Sequence, residues 1–220
     1  MIRGNYWQDR KAEGLNVLTH GSMAVLALFL LLRRLWLPIT GNPAVPGEIA
    51  FYSCLLILFT ISSLYHGLPM DNPWKPRLNR LDHMAIYLAI AGTYTPIALT
   101  VIGGATGKVI LILQWALVGA GVLFKCFAFN KGRLIEILSV ILYVLMGWMI
   151  VFFLPFLPVR LPPLFWLLIA GGGIFYTSGL IFYAGRWRYS HVIWHLFVNG
   201  GAICHILAVL SIHNLPQRLL

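Results

Sequence analysis

Apolar residues run along this chain in seven long stretches, separated by short gaps that hold prolines, glycines and charges. A helix rises 1.5 Å per residue and the hydrocarbon core of a bilayer is about 30 Å thick, so about 20 apolar residues cross it. The stretches fall near residues 15–36, 47–67, 80–101, 108–129, 134–156, 163–184 and 190–212. The gaps run from Pro38 to Pro46, Pro69 to Pro76, Gly103 to Gly107, Asn130 to Gly132, Pro158 to Pro163 and Gly185 to Tyr189. Lipid offers no partner to an unpaired backbone group, so the pattern predicts an all-α fold, a seven-transmembrane helix bundle with short connections. No repeat or linker divides the chain, and residues 1–220 read as a single integral membrane domain.

Composition agrees with lipid as the solvent. Of 220 residues 60% are hydrophobic and 10% charged, with mean hydropathy +0.83, whereas a soluble domain carries about 25% charged residues. Lys and Arg number 16 against 6 Asp and Glu. In a soluble protein that excess would suggest nucleic acid; between apolar runs it speaks for topology and anionic lipid heads, and no nucleic-acid partner is expected. With the N-terminus cytoplasmic, Arg3, Arg10, Lys11, Lys75, Arg77, Arg80, Lys125, Lys131, Arg133, Arg186 and Arg188 lie inside. Arg33, Arg34, Lys108, Arg160 and Arg218 then lie outside, and the C-terminus with them. The positive-inside rule favours this arrangement. The first run has no small-residue cleavage site after it and reads as an uncleaved span. Cys54, Cys126 and Cys204 all fall in apolar runs without paired spacing, so they read as buried free thiols.

Against this background the polar residues inside spans stand out, because each ionisable group in lipid needs a partner or a task. The second span ends in Ser62-Ser63-Leu64-Tyr65-His66, the third opens with Leu81-Asp82-His83, and the seventh opens with His191-Val192-Ile193-Trp194-His195. Alternating topology puts all three segments at the same, cytoplasmic, face. His191 and His195 are four residues apart and share a helix face, about 5–6 Å apart at Cβ, close enough to hold one metal ion. His66 completes a three-histidine set with a fourth position open to water, the pattern of catalytic zinc. Asp82 can hold that water or orient a histidine, and Ser62, one turn before His66, can bond the same water. The bland alternative is a set of interhelical hydrogen bonds.

These blocks, together with Gly92-Thr93-Tyr94-Thr95-Pro96 and Met146-Gly147-Trp148, resemble the progestin and adipoQ receptor family, and within it the bacterial hemolysin III-type proteins. The resemblance implies seven helices with zinc near the cytoplasmic side of the bacterial inner membrane. It implies His66, His191 and His195 as direct ligands, with Asp82 and Ser62 contacting the bound water. The wider superfamily includes alkaline ceramidases, which hydrolyse a lipid amide. The chain lacks the long N-terminal region of the adiponectin receptors, so hormone binding does not carry over.

Three functions follow as expectations. The first is a zinc-dependent hydrolase of a membrane lipid amide or ester, with Asp82 as proton acceptor. The second is a non-enzymatic sensor of membrane fluidity in which zinc clamps helices together. The third, a pore-forming cytolysin, is disfavoured by the scarcity of charge and the lack of a polar stripe along the spans. Among the remaining histidines, His83 points about 100° away from Asp82 and reads as a packing residue. His205 lies about 15 Å beyond His195 and reads as an interhelical hydrogen bonder. His20 faces either lipid heads or the site, and His213 reads as solvated. Glu136 is expected to pair with Arg133, and Gly171-Gly172-Gly173 to allow close helix packing.

Overall fold

The structure, a computed structural model, describes residues 9–37, 44–129, 132–156 and 162–212. His213, Arg3, Lys131, Arg160 and Arg218 lie outside the described residues, as do parts of three of the expected connections. Helices α1 (Arg10–Trp36), α2 (Ala44–Gly67), α3 (Lys75–Pro96), α4 (Gly104–Ala128), α5 (Arg133–Gly147), α6 (Ile150–Phe153), α7 (Pro163–Tyr183) and α8 (Ser190–Ile212) follow one another, with no strand among the described residues. Seven spans are long and apolar enough to cross a membrane, α5 and α6 together making one of them.

Local chemistry sets several of the ends. Asp9 caps α1 by accepting from the Lys11 amide at 2.9 Å, and Leu37 leaves the helix in an extended conformation (φ −73°, ψ 143°), as a residue before proline prefers. Pro76 sits in the first turn of α3, where its missing N–H costs nothing. Pro96 denies the third span a backbone donor, and the helix continues through Ile97–Ile102 with π-type hydrogen bonding. It stops at Gly103, whose φ of 62° favours glycine.

Cys126 is exposed where the sequence reading expects a buried thiol, and the fifth span departs further from the sequence pattern. Its apolar run suggests a helix unbroken over 134–156, yet the backbone breaks at Trp148 and Met149, between α5 and α6. Hydropathy is blind to the cause, which lies on neighbouring helices. Tyr94 donates its hydroxyl to the Gly147 carbonyl at 2.7 Å and accepts from the Ile150 amide at 2.9 Å. Gln114, fully buried, donates to the Met146 carbonyl at 2.9 Å. Groups freed by the break therefore find partners, the condition on which irregular backbone is tolerated at membrane depth.

The third span is the most buried and forms the centre of the bundle. Helix α2 packs against both α1 and α3, and α8 against α1 and α7. The core they share includes Met23, Ala27, Phe51, Leu55, Phe59, Ala89, Ala202 and Val209. Close approach of α2 to α3 depends on Gly47, where a Cβ would lie 2.6 Å from the Pro96 backbone. Gly172 is covered by the His205 ring and Gly173 by Trp148, in keeping with small residues serving helix packing. Leu18, Val25, Phe29 and Leu32 point outward from α1, a face suited to lipid rather than water.

Candidate metal centre

Two helices bring the three histidines together at one end of the bundle. His66 stands on the last turn of α2; His191 and His195 stand on the first two turns of α8. One ring nitrogen from each lies within 4.8 Å of the other two, a group able to hold a metal ion. Nitrogens sharing one zinc at about 2.0–2.1 Å are at most about 4 Å apart, so a small rotation of the rings closes the set. His66 and His195 are buried and His191 is half-buried.

Hydrogen bonding decides which nitrogens face inward. His66 Nδ1 lies 3.2 Å from both carboxylate oxygens of Glu13. A carboxylate only accepts, so in the neutral ring Nδ1 carries the proton and Nε2 the lone pair. That Nε2 is buried and has no hydrogen-bond partner. Lys75, itself buried, donates to Glu13 at 3.1 Å and to the carbonyls of Tyr65 and Leu68 at 3.1 and 2.7 Å. The ammonium thus holds Glu13 as an anion while covering the negative end of α2.

His195 is fixed in a similar way from α1. Its Nδ1 is 3.2 Å from the Thr19 hydroxyl, which sits 2.9 Å and 3.0 Å from the Leu15 and Asn16 carbonyls. With the single hydroxyl proton given to a carbonyl, the Thr19 oxygen accepts from His195 Nδ1–H, and again Nε2 is left as the basic nitrogen. Asn199 donates to the Thr19 carbonyl at 3.0 Å, pinning α8 to α1 at this level.

The site contains more than the sequence pattern suggests. His20 faces the histidines rather than lipid: its ring stacks on His195 with centroids 3.5 Å apart and planes 3° from parallel. Its Nδ1 meets the Ser62 hydroxyl at 2.8 Å, and its Nε2 is buried without a hydrogen-bond partner. Asp82, half-buried on α3, lies beside Ser62 and within electrostatic reach of His66. Glu13, Asn16, Thr19 and Lys75 are the residues that sequence reasoning passed over. A signal was present, since Glu13, Asn16 and His20 recur at helical spacing and line one face of the first span.

Two further histidines take the roles expected of them. His83 turns away from the cluster, with Nδ1 2.8 Å from the Asn79 carbonyl and the ring edge-on to Phe129. His205 Nε2 reaches the Ile169 carbonyl across the α7–α8 contact at 3.3 Å. Glu136 accepts from the Tyr183 hydroxyl at 3.2 Å, an interhelical bond that the spacing to Arg133 does not suggest.

Beside His191 a recess of about 20 Å³ is lined by Glu13, Asn16, Arg186 and Arg188 among others, room for about one water molecule. Arg188 crosses to α1 and pairs with Asp9. The Arg188 guanidinium and the Lys11 amide together hold the Asp9 carboxyl below the usual carboxylate range.

Fold and site together define a class: a seven-helix membrane protein with a histidine cluster sunk into one end of its bundle. A family model described as haemolysin-III related matches residues 8–206, nearly the whole chain, which therefore belongs to that family. Hemolysin-3 of Bacillus cereus is 36% identical over 205 residues, covering 91% of each chain. A hemolysin-3 homolog of Bacillus subtilis (strain 168) is 33% identical over 205 residues, covering 91% of this chain and 93% of the relative. More distantly, the human monocyte to macrophage differentiation factor is 27% identical over 172 residues, 70% of this chain and 65% of that protein.

Proposed function

We propose that His66, His191 and His195 hold a zinc ion, and that the centre hydrolyses an amide or ester bond of a membrane lipid. The observation that carries this reading is the buried, unpartnered Nε2 of His66 on a ring whose Nδ1 is already engaged by Glu13. Three neutral imidazoles suit zinc, and three protein ligands leave one position open. Bound there, the ion would supply acidified water and a polarised carbonyl.

The chain's own residues do the rest. Asp82 takes a proton from the attacking water and returns it to the leaving group. Ser62, between Asp82 and His20, orients that water. Glu13 and Thr19 fix the tautomers of two ligands, and Lys75 keeps Glu13 charged. With the N-terminus in the cytoplasm of a bacterial cell, the centre faces the inner leaflet of the inner membrane, and lipid enters sideways from it.

A second reading draws on the ion pairs themselves. Glu13, His66 and Lys75 join α1, α2 and α3 at one point, so a metal added there would brace four helices, as a sensor of membrane state requires. Metal analysis of detergent-purified protein separates the readings. Stoichiometric zinc is expected in the parent and is lost in His66→Ala or His191→Ala; full retention in either variant refutes the ligand set. Asp82→Ala keeps zinc, and an enzyme then loses about 10²–10⁴-fold in turnover of amide or ester lipids. A change in melting temperature alone leaves the brace.

A further inference from the structure

The far end of the bundle holds a second polar cluster. Arg34, on the last turn of α1, is buried with its Nε 3.0 Å from Glu48 Oε2 on α2. A cavity of about 400 Å³ lies against this pair, lined by Leu30, Arg33, Arg34, Glu48, Tyr52 and their neighbours Leu37 and Leu210. His20 and Arg34 are fourteen residues apart on one helix, about 21 Å, so this cavity is separate from the histidine centre.

Two buried groups here lack hydrogen-bond partners. Arg34 Nε is close to Glu48 but not aligned for a hydrogen bond, and the hydroxyl of Tyr52, a residue 2% exposed, has none either. Arg34 Nε only donates and the Tyr52 hydroxyl can donate, so one acceptor in the cavity would satisfy both. Arg33 and Arg34 outweigh Glu48 by one positive charge, which favours an anionic acceptor. A guanidinium presents its donors in a fork that matches phosphate oxygens. The other walls, Leu30, Leu37 and Leu210, are apolar, and Phe29, Leu32 and Trp36 leave α1 exposed toward the bilayer.

We infer that this cavity binds the phosphate headgroup of an anionic phospholipid, with Arg33, Arg34 and Tyr52 on the phosphate and the leucines along the first carbons of the lipid. It takes no part in the histidine chemistry.

Native mass spectrometry of the full chain in detergent, titrated with phosphatidylglycerol or phosphatidylcholine of the same acyl chains, tests this. Phosphatidylglycerol should be retained preferentially and should raise the melting temperature by mass action. Tyr52→Phe, which removes only the unpartnered hydroxyl, should weaken it about tenfold, as losing one bond to a charged group does. Arg33→Gln, more exposed, should weaken it about threefold. Both variants spare the Arg34–Glu48 pair and should keep the parent's metal content, so failure here is distinct from failure of the histidine centre. Equal retention of the two lipids, or parent-like retention by both variants, overturns the inference. Full displacement and an equal melting shift with inorganic phosphate alone would assign the cavity to free phosphate and overturn the lipid source.

Discussion

Replacing Glu13 by Gln tests whether the first span tunes the proposed metal centre or merely packs beside it. Gln keeps the shape and can still accept from His66 Nδ1–H, but the bond is no longer charge-assisted, and such bonds are about twice as strong as neutral ones. Since bonds to charged groups contribute about 1.5–3 kcal/mol, halving one removes about 0.8–1.5 kcal/mol of ligand orientation, or about three- to tenfold in zinc affinity. Glu13→Ala removes the acceptor altogether and should approach the hundredfold end of the range for groups that orient a ligand. It also leaves the buried Lys75 ammonium with only the Tyr65 and Leu68 carbonyls, so the metal-free protein should melt at a lower temperature. Adding Lys75→Met to Glu13→Ala should restore part of that melting temperature without restoring affinity, because the two losses have different origins. Competition titration against a chromophoric chelator reads the affinity, and a thermal melt in chelator reads the stability. Parent-like zinc affinity in Glu13→Ala, with binding still abolished by His191→Ala, would refute the role given to Glu13.

Three further outcomes follow from the packing and the charges. Tyr94→Phe leaves the Gly147 carbonyl and the Ile150 amide without their shared partner, so a thermal melt should show a loss of about 1–3 kcal/mol; an unchanged melt would mean the break in the fifth span is satisfied by other means. Gly47→Ala drives a Cβ against the Pro96 backbone, which cannot rotate away, and should cost about 1–3 kcal/mol in the same assay. The Asp9–Arg188 pair holds the Asp9 carboxyl below its ordinary value of 3.8. Its contribution is therefore complete above about 3.8 and fades as pH falls through the lowered folded value. Hydrogen-exchange protection at the start of α1, corrected for the intrinsic rate, should fall only at such acidity, and a fall near neutrality would refute the assignment.

Much of the architecture was legible because the bilayer imposes a length on every span, and a run of apolar residues records that length whatever its neighbours do. The histidine trio was legible for a related reason: alternating topology assigns each span end to a face, and the four-residue step from His191 to His195 assigns a helix side. Lateral neighbours leave no such mark. Glu13 stands just before the first apolar run in the sequence, and only the packing of α1 against α2 reveals that it holds His66. Lys75 counts toward topology in the sequence, yet in the fold it is spent on Glu13 and two carbonyls. The break after Gly147 was invisible because Tyr94 and Gln114, which make it tolerable, belong to other spans.

Two of the three clustered histidines stand on α8, while the third stands on α2 and the groups that fix them stand on α1 and α3. His66 lies on the second span and His191 and His195 on the seventh, so four spans are made between the first of the three histidines and the other two. A chain halted before its last helix would carry the cradle without the means to load it. Uptake of the proposed metal would then require the last span to be in place.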